Sequence, residues 1–303
     1  MLATATRTQH ASDGTFALSL NDEEFSLFQQ LIYREAGIHL STLKKALLIS
    51  RLGRRVRQLG ARSFAAYYRM CVEDRAGELV KMLDAICTNE THFFREPRQF
   101  DYLQNAIVPT LRADAAAGRR AKSVRVWSAA CSTGEEPYSI AMLLGAAFAD
   151  DPEWRIEVVA TDLSTRVLEH AREGLWPIER AANIPQPLLK AWMMRGRRTQ
   201  EGWMKAKPEL RSMIQFARLN LNDDVYPVTG PFDLIFCRNV LIYFDDASKT
   251  RVIERLLARL APDGHILLGH SESLSRWTDR VRSVGPTIYV PLPEEVRDAR
   301  PRR

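Results

Sequence analysis

Long apolar runs are missing from this chain of 303 residues. The longest nearly continuous run covers residues 140–149, half of the ~20 residues that a membrane-spanning helix needs. The first 15 residues also lack the apolar core of a secretory signal. We therefore expect no membrane insertion and a cytoplasmic location.

Clustered cysteines are missing as well. Cys71, Cys87, Cys131 and Cys237 stand far apart and form no CxxC pair. This pattern predicts reduced thiols instead of a zinc site or a disulfide framework. His92 has no partner at metal-ligand spacing, so we expect no metal site.

Acidic residues are outnumbered, with 37 Asp and Glu against 43 Lys and Arg and a formal net charge of +6. Such an excess favours an acidic partner. It does not distinguish between nucleic acid, an anionic lipid surface and a glutamate-rich protein surface.

The N-terminal part of the chain shows only helical periodicity. The spacing of apolar residues predicts one helix from Asp22 to Gly37, a second from Ser41 to about Gly60, and a third around Leu79–Ile86. Asn21 or Asp22 is placed to cap the first of them. No strand pattern precedes residue 90. The sequence therefore predicts an all-helical N-terminal domain.

After about residue 120, short β-branched and aromatic runs alternate with helical stretches. Such alternation predicts βαβ units in an α/β fold with a doubly wound sheet. Between residues 195 and 219 the alternation gives way to turn-rich, strand-like sequence, which predicts a small β excursion. The predicted strands of the main sheet are Val124–Ser128, Arg155–Thr161, Phe232–Arg238, His265–Gly269 and Thr287–Leu292.

A loop of small residues, Ala129–Glu136, follows the first strand. In open parallel sheets, ligands bind beyond the carboxyl ends of the strands. Small residues let the backbone approach a ligand, and the next helix presents N–H donors. The loop lacks GxGxxG, and Glu135 and Glu136 would repel a pyrophosphate, which favours a cationic or zwitterionic ligand. The alternative is that both glutamates only stabilise the first turn of the helix.

Two more polar segments follow predicted strands. Asp162 ends the second strand, 28 residues after Gly134, where an acidic residue can accept hydrogen bonds from ribose hydroxyls. The alternative role for Asp162 is a simple helix cap. The segment Arg238–Tyr243 ends the third strand and would share the same edge of the sheet.

Five ordered segments resemble the motifs of chemotaxis receptor methyltransferases of the CheR family, over roughly residues 20 to 292. These segments are TNETHFFRE, VWSAACSTGEEPYSIA, ATDLS, FCRNVLIYF and GHSESL. The resemblance implies a class I S-adenosylmethionine-dependent methyltransferase fold with an N-terminal helical domain and an inserted β-subdomain. The implied division is a flexible N-terminus (1–19), a receptor-recognition domain (20–90), a catalytic domain (91–293, with the β-subdomain at about 195–216) and a flexible tail (294–303).

The family resemblance also implies the reaction. Glutamate side chains of methyl-accepting chemotaxis receptors would be converted to methyl esters, with release of S-adenosylhomocysteine. The partner would be the cytoplasmic helical domain of these receptors. Some family members also bind a receptor C-terminal peptide at the β-subdomain, and the loop Arg195–Gly202 leaves this open.

Site residues are implied by motif. Arg95 would orient the acceptor carboxylate, and Tyr243 would position the methyl group or the acceptor. Asp162 would hold the ribose, and Asn220 and Leu221 would flank the adenine. The cofactor-binding set is Asn89, Thr91, Arg95, Glu136, Asp162, Asn220, Leu221, Arg238 and Asn239.

A basic stripe on the second helix is a candidate docking surface. Eight basic residues and no acidic one lie between Glu35 and Glu73. Lys44, Arg51 and Arg55 fall within about 40° on a helix, so they could dock a glutamate-rich receptor helix. The alternative is a solvated helix face.

Two other functional classes share this kind of fold or charge: nucleic-acid methyltransferases and non-catalytic cofactor-binding modules. A nucleic-acid methyltransferase would suit the basic charge, but the segment Asn239–Tyr243 lacks a Pro-Pro-Tyr element, and no basic stretch is interleaved with aromatics. A non-catalytic cofactor-binding signalling module is disfavoured by the presence of Arg95 and Tyr243. We therefore expect an enzyme that does not act on nucleic acid.

Overall fold

The computed structural model describes residues 18–75 and 77–293. They divide into two compact units, one with residues 18–28 and Ser41–Ile86 and the other with Gln29–Leu40 and the residues from 87 onward. Except for residues 18 and 19, the termini expected to be flexible, 1–19 and 294–303, lie outside the described residues.

Within the described residues, the first unit is entirely helical. An expected cap opens the first helix: the Asn21 N–H donates to Glu24 Oε2 (3.0 Å), and the Glu24 N–H donates to Asn21 Oδ1 (2.7 Å). Residues Thr42–Lys44 form a 3-10 turn, so the second helix is shorter than predicted. The helices are α1 (Asp22–Ala36, whose residues from Gln29 on belong to the second unit), α2 (Lys45–Gln58), α3 (Phe64–Glu73), which the periodicity did not reveal, and α4 (Glu78–Ile86).

The second unit is built on a seven-stranded sheet, which confirms the predicted α/β fold. Its order is β6-β2-β1-β7-β8-β10-β9, with the first five strands parallel and the last two antiparallel to their neighbours. The strands of the unit are β1 (Ser123–Ala129), β2 (Arg155–Asp162), β3 (Leu175–Pro177), β4 (Met193–Arg195), β5 (Trp203–Ala206), β6 (Ile214–Arg218), β7 (Phe232–Cys237), β8 (Leu260–Leu268), β9 (Val281–Gly285) and β10 (Ile288–Pro291).

Helices and loops cover both faces of this sheet. Val126 and Leu234 belong to one buried cluster, whereas Trp127 and Ile235 belong to another, as the alternation of side chains along a strand requires. The helices of the unit are α5 (Pro97–Tyr102), α6 (Val108–Ala116), α7 (Glu135–Ala147), α8 (Thr165–Glu173), α9 (Gln186–Trp192), α10 (Pro208–Ser212) and α11 (Asp246–Leu257), with a π-helical segment at Leu103–Ile107.

The β excursion differs in extent from the sequence prediction. A separate sheet with the order β3-β5-β4 begins at Leu175 and ends at Ala206, whereas we expected it at about 195–216. Residues Ile214–Arg218 instead pair with β2 in the main sheet. Short strands carry no signal for the sheet that they join, which explains the difference. Among the described residues, no helix is long and apolar enough to span a bilayer.

Candidate active site

The loops after β1, β2 and β7 meet at one edge of the main sheet. The strand order reverses between β1 and β7, because β2 and β6 lie on one side of β1 and β7 and β8 on the other. Such a reversal opens a crevice beyond the carboxyl ends of the strands. The predicted polar segments therefore lie around one crevice.

The loop after β1 is held in an unusual backbone conformation. Ala130, Ser132 and Gly134 all have positive φ, at 66°, 51° and 97°. A Cβ on Gly134 would lie 2.9 Å from the Cβ of Ala171, so only glycine fits there. The Ser132 N–H donates to Asp162 Oδ2 (2.8 Å). The loop is therefore fixed with its backbone close to the crevice.

Asp162 accepts two backbone N–H groups. The side chain is buried, and its Oδ1 accepts from the Ser164 N–H (2.9 Å) while Oδ2 accepts from the Ser132 N–H. The cap of α8 is Ser164, whose Oγ accepts from the Val167 N–H (3.4 Å), so Asp162 does not have the capping role that is the alternative to ribose binding. The bonds of Asp162 instead fix its carboxylate beside the loop after β1.

A buried ion pair lies behind the crevice. Arg238 Nε donates to Glu136 Oε2 (2.6 Å), and Ser128 Oγ donates to Glu136 Oε1 (2.6 Å). Arg238 Nη1 donates to the Arg95 carbonyl (2.6 Å) and to Gln99 Oε1 (3.2 Å). Both oxygens of Glu136 therefore have partners inside the protein, and Arg238 balances its charge.

The segment Thr88–Glu96 forms another wall. Its Phe93 and Phe94 are buried, as expected for anchors. The Asn89 carbonyl accepts from Ser132 Oγ (3.1 Å), and Asn89 Nδ2 is buried without a partner among the described residues. Arg95 Nη1 donates to the Glu90 carbonyl (3.0 Å).

The loop after β7 depends on a residue whose role the sequence did not reveal. Asn239 has a φ of 57°, and its N–H donates to Glu272 Oε2 (2.8 Å), which also accepts from the Gly269 N–H (2.7 Å). Burial raises the pKa of Glu272, against the lowering effect of these N–H donors. The only signal for Glu272 was its place in the GHSESL segment. Tyr243 follows on the same loop, and its carbonyl accepts from the His39 N–H (2.8 Å).

Asn220 and Leu221 follow β6, which is parallel to β2 and therefore ends at the same edge of the sheet. Asn220 Nδ2 donates to the Glu35 carbonyl (2.6 Å), and its Oδ1 accepts from the Asn222 N–H (3.0 Å). The side chain therefore binds the end of α1, which the sequence did not predict. Leu221 is buried.

Two of the three predicted docking residues hold the first unit together instead. Arg55 Nε and Nη2 donate to Glu78 Oε1 (2.7 Å) and Oε2 (2.5 Å), and Arg51 Nη1 donates to the Ile86 carbonyl. Burial raises the pKa of Glu78, but the bonds from Arg55 and Tyr67 outweigh it and leave this pKa below its usual value. Arg51 and Arg55 thus join α2 to α4, so two cations of the predicted docking stripe already have partners within the first unit. The third residue, Lys44, lies in the 3-10 turn before α2.

Two family models match the chain. The CheR methyltransferase all-alpha domain matches residues 23–87, and the CheR methyltransferase SAM binding domain matches residues 89–290. Chemotaxis protein methyltransferase 2 of Pseudomonas aeruginosa is 41% identical over 270 residues, which is 89% of this chain and 93% of that protein. The chemotaxis protein methyltransferase of Escherichia coli is 41% identical over 277 residues, 91% of this chain and 93% of that protein.

The crevice fits S-adenosylmethionine, the cofactor that the matched binding domain assigns to the chain. Asn89 Nδ2 and Asn239 Oδ1 are a buried donor and a buried acceptor without partners among the described residues. A ligand that carries amino, carboxylate and hydroxyl groups can supply those partners. Gly134 keeps the loop after β1 in its place beside the crevice, since a side chain there would collide with Ala171.

Proposed function

The chain belongs to the CheR methyltransferase family, and on that premise we propose that it methylates glutamate side chains of chemotaxis receptors. The named relatives from Pseudomonas aeruginosa and Escherichia coli are chemotaxis methyltransferases. The assignment of glutamate as the acceptor rests on the surroundings of Arg95. Within the described residues, the only hydrogen bond of its guanidinium goes to the Glu90 carbonyl, and no carboxylate lies within 4.0 Å of the guanidinium. An anionic acceptor would satisfy this cation.

The chemistry of the acceptor also favours a carboxylate. A glutamate side chain, with a pKa of about 4.3, is already ionised at neutral pH and needs no general base. Glu136, the buried carboxylate behind the crevice, is paired with Arg238, so the reaction does not depend on Glu136 as a base.

We assign roles to the chain's own residues on this basis. S-adenosylmethionine supplies an electrophilic methyl group when it is bound. Asn89, Thr91 and Asn239 would hold its methionine end, and Asp162 would hold the ribose. Arg95 would orient the acceptor carboxylate, and Tyr243 would position the methyl group or the acceptor. Glu136 and Arg238 would support the wall behind the ligand, while the backbone at Asn220 and the side chain of Leu221 would flank the adenine.

Receptor recognition belongs, in this proposal, to residues 20–90, and catalysis to residues 91–293, in the cytoplasm. Because Arg51 and Arg55 are engaged, the docking cations we favour are Arg54 and Arg57, which are exposed on α2. They stand about 60° apart on the helix. A receptor C-terminal peptide would add to an edge strand of the small sheet, β3 or β4, where backbone groups face outward.

A methyl-transfer assay tests the reaction. Tritiated S-adenosylmethionine is incubated with the protein and with receptor membranes, RNA or DNA. We expect label on the receptors alone, and mild alkali should release it as methanol, because a carboxyl ester is base-labile and an N-methyl group is not. Alkali-stable label, or label on nucleic acid, would disprove the proposal.

Two variants test the roles in the pocket. Arg95→Ala should lower turnover far more than it weakens binding of S-adenosylhomocysteine, whereas Asp162→Ala should weaken that binding directly in a calorimetric titration. Equal turnover in Arg95→Ala and wild type would remove the role assigned to Arg95.

A charge reversal tests docking. Replacing Arg54 and Arg57 with Glu should raise the KM for the receptor without changing S-adenosylhomocysteine affinity. The matched control reverses Arg155 and Arg282, two exposed arginines of the second unit. Equal KM values for the two double variants would show that docking lies elsewhere.

A further inference from the structure

Arg180 brings a positive charge from the inserted region to the wall of the site. It lies in the 3-10 helix Ile178–Asn183, between β3 and α9, and is exposed. Its Nη1 donates to the Thr91 carbonyl at 2.9 Å. The guanidinium therefore reaches the segment that also carries Asn89 and Arg95, although neither the sequence motifs nor the family match gave it a role.

Arg180 and Arg95 are arranged alike. They are bound by consecutive carbonyls, Thr91 and Glu90. A guanidinium has five N–H donors, and each of these side chains uses one of them within the described part of the chain. Neither has a carboxylate within 4.0 Å there. Arg238, by contrast, has carboxylate, amide and carbonyl partners.

His92 precedes Arg95 by three residues, and the charges of both arginines act on its pKa. Burial lowers the pKa of His92, Arg95 and Arg180 lower it further, and Glu135 acts in the opposite direction. The imidazole is therefore neutral at pH 7, and the positive charge at this position comes from the two guanidiniums.

We propose that Arg180 binds the acceptor carboxylate together with Arg95, so that the inserted region helps to select an anionic acceptor. This inference rests on the proposed glutamate methylation. Two guanidiniums with spare donors match the two oxygens of a carboxylate. The oxygen that attacks the methyl group loses its charge as the ester forms, so Arg180 binds the substrate at least as strongly as the transition state. Its contribution should consequently appear in KM and not in kcat.

The test is steady-state methylation of a purified receptor cytoplasmic fragment by Arg180→Gln. We expect the KM for the fragment to rise about 5- to 10-fold with kcat changed less than about twofold, and kcat/KM to depend less on salt. Arg180→Lys, which keeps the charge, should recover part of the loss. The control is Arg155→Gln, an exposed arginine at the opposite end of β2.

Binding measurements distinguish recognition of the acceptor by Arg180 from a structural role of its bond to the Thr91 carbonyl. S-adenosylhomocysteine affinity should be the same in Arg180→Gln and wild type. A glutamate-rich receptor peptide should bind wild type more tightly than its glutamine counterpart, and Arg180→Gln should lose this preference. An unchanged KM, or a loss confined to kcat and cofactor affinity, would overturn the proposal.

A failure of the proposed function can be distinguished from a failure of the role of Arg180. If wild type transfers no methyl group to the receptor fragment, the glutamate reaction is wrong. Even then, the affinities of the glutamate-rich peptide and its glutamine counterpart test whether Arg180 recognises carboxylates. If wild type bound both peptides equally, carboxylate recognition by Arg180 would be refuted as well.

Discussion

Replacing Arg238 with Met should destabilise the second unit far more than loss of an exposed arginine. The Arg238 side chain is 2% exposed and that of Glu136 is 10% exposed. Methionine fills part of the same space but leaves the Glu136 carboxylate with Ser128 as its remaining side-chain partner. The Arg95 carbonyl and the Gln99 amide oxygen also lose a donor.

The magnitude follows from the burial of the pair. Removing one partner of a buried ion pair costs about 3–5 kcal/mol, because the remaining charge is left without compensation in a medium of low dielectric constant. For a unit of this size, each kcal/mol lowers the melting temperature by roughly 2–4 °C. We expect Arg238→Met to melt about 6–20 °C below wild type.

The matched control is Arg276→Met. Arg276 Nη2 lies 3.2 Å from Asp246 Oδ2, and the two side chains are 76% and 62% exposed. Exposed pairs of this kind contribute about 0–1 kcal/mol, so this variant should melt close to wild type. Both variants lose one positive charge, which separates the effect of burial from that of net charge.

A double-mutant cycle completes the test. Glu136→Gln removes the charge that Arg238→Met leaves behind, so the double variant should be more stable than Arg238→Met alone, with a coupling energy of about 0.5–3 kcal/mol. Urea unfolding monitored by tryptophan fluorescence and by circular dichroism measures all four proteins. If Arg238→Met and Arg276→Met differed by less than about 1 kcal/mol, the ion pair would not support the site as we have argued.

Three further changes test other parts of the structure. Gly134→Ala forces a Cβ within 2.9 Å of Ala171 at a φ of 97°, so calorimetry should detect little S-adenosylhomocysteine binding; normal affinity would refute the fit. Burial raises the pKa of Glu272 above its usual 4.5, so wild type loses stability as pH rises through the folded-state pKa, and Glu272→Gln should gain in melting temperature relative to wild type over that range; a constant difference would contradict this. Arg55→Met should cost about 1–3 kcal/mol in urea unfolding, less than for a fully buried pair because Arg55 is 26% exposed; a cost equal to that of Arg54→Met would refute its structural role.

The sequence predicted the parts of the fold that periodicity controls. Short β-branched and aromatic runs located β1, β2, β7, β8 and β10, and capping residues located the start of α1. They did not locate β9 (Val281–Gly285), which contains Arg and Ser and is exposed or half-buried along its length at the edge of the sheet. A strand of that kind is specified by its neighbour, since its own side chains carry little pattern.

Residue types could predict where the site lies but not what each side chain contacts. Asp162 and Asn239 reach the crevice because strand ends converge there. The pairing of Glu136 with Arg238 joins residues 102 positions apart, and no local pattern indicates it. Helical spacing places Arg51 and Arg54 on one helix equally well, but only the position of α4 decides that Arg51 is engaged and Arg54 exposed.

The distribution of charge around the crevice favours an anionic acceptor over a cationic one. Its described carboxylates are bonded within the protein: Glu136 to Arg238, and Asp162 and Glu272 to backbone N–H groups. The guanidiniums of Arg95 and Arg180 instead keep most of their donors. A lysine acceptor would therefore meet two cations, whereas a glutamate would meet two donors and needs no base. The same arrangement that admits an ionised carboxylate should thus exclude amines, and peptides that differ only in Glu or Lys at the acceptor position would measure it.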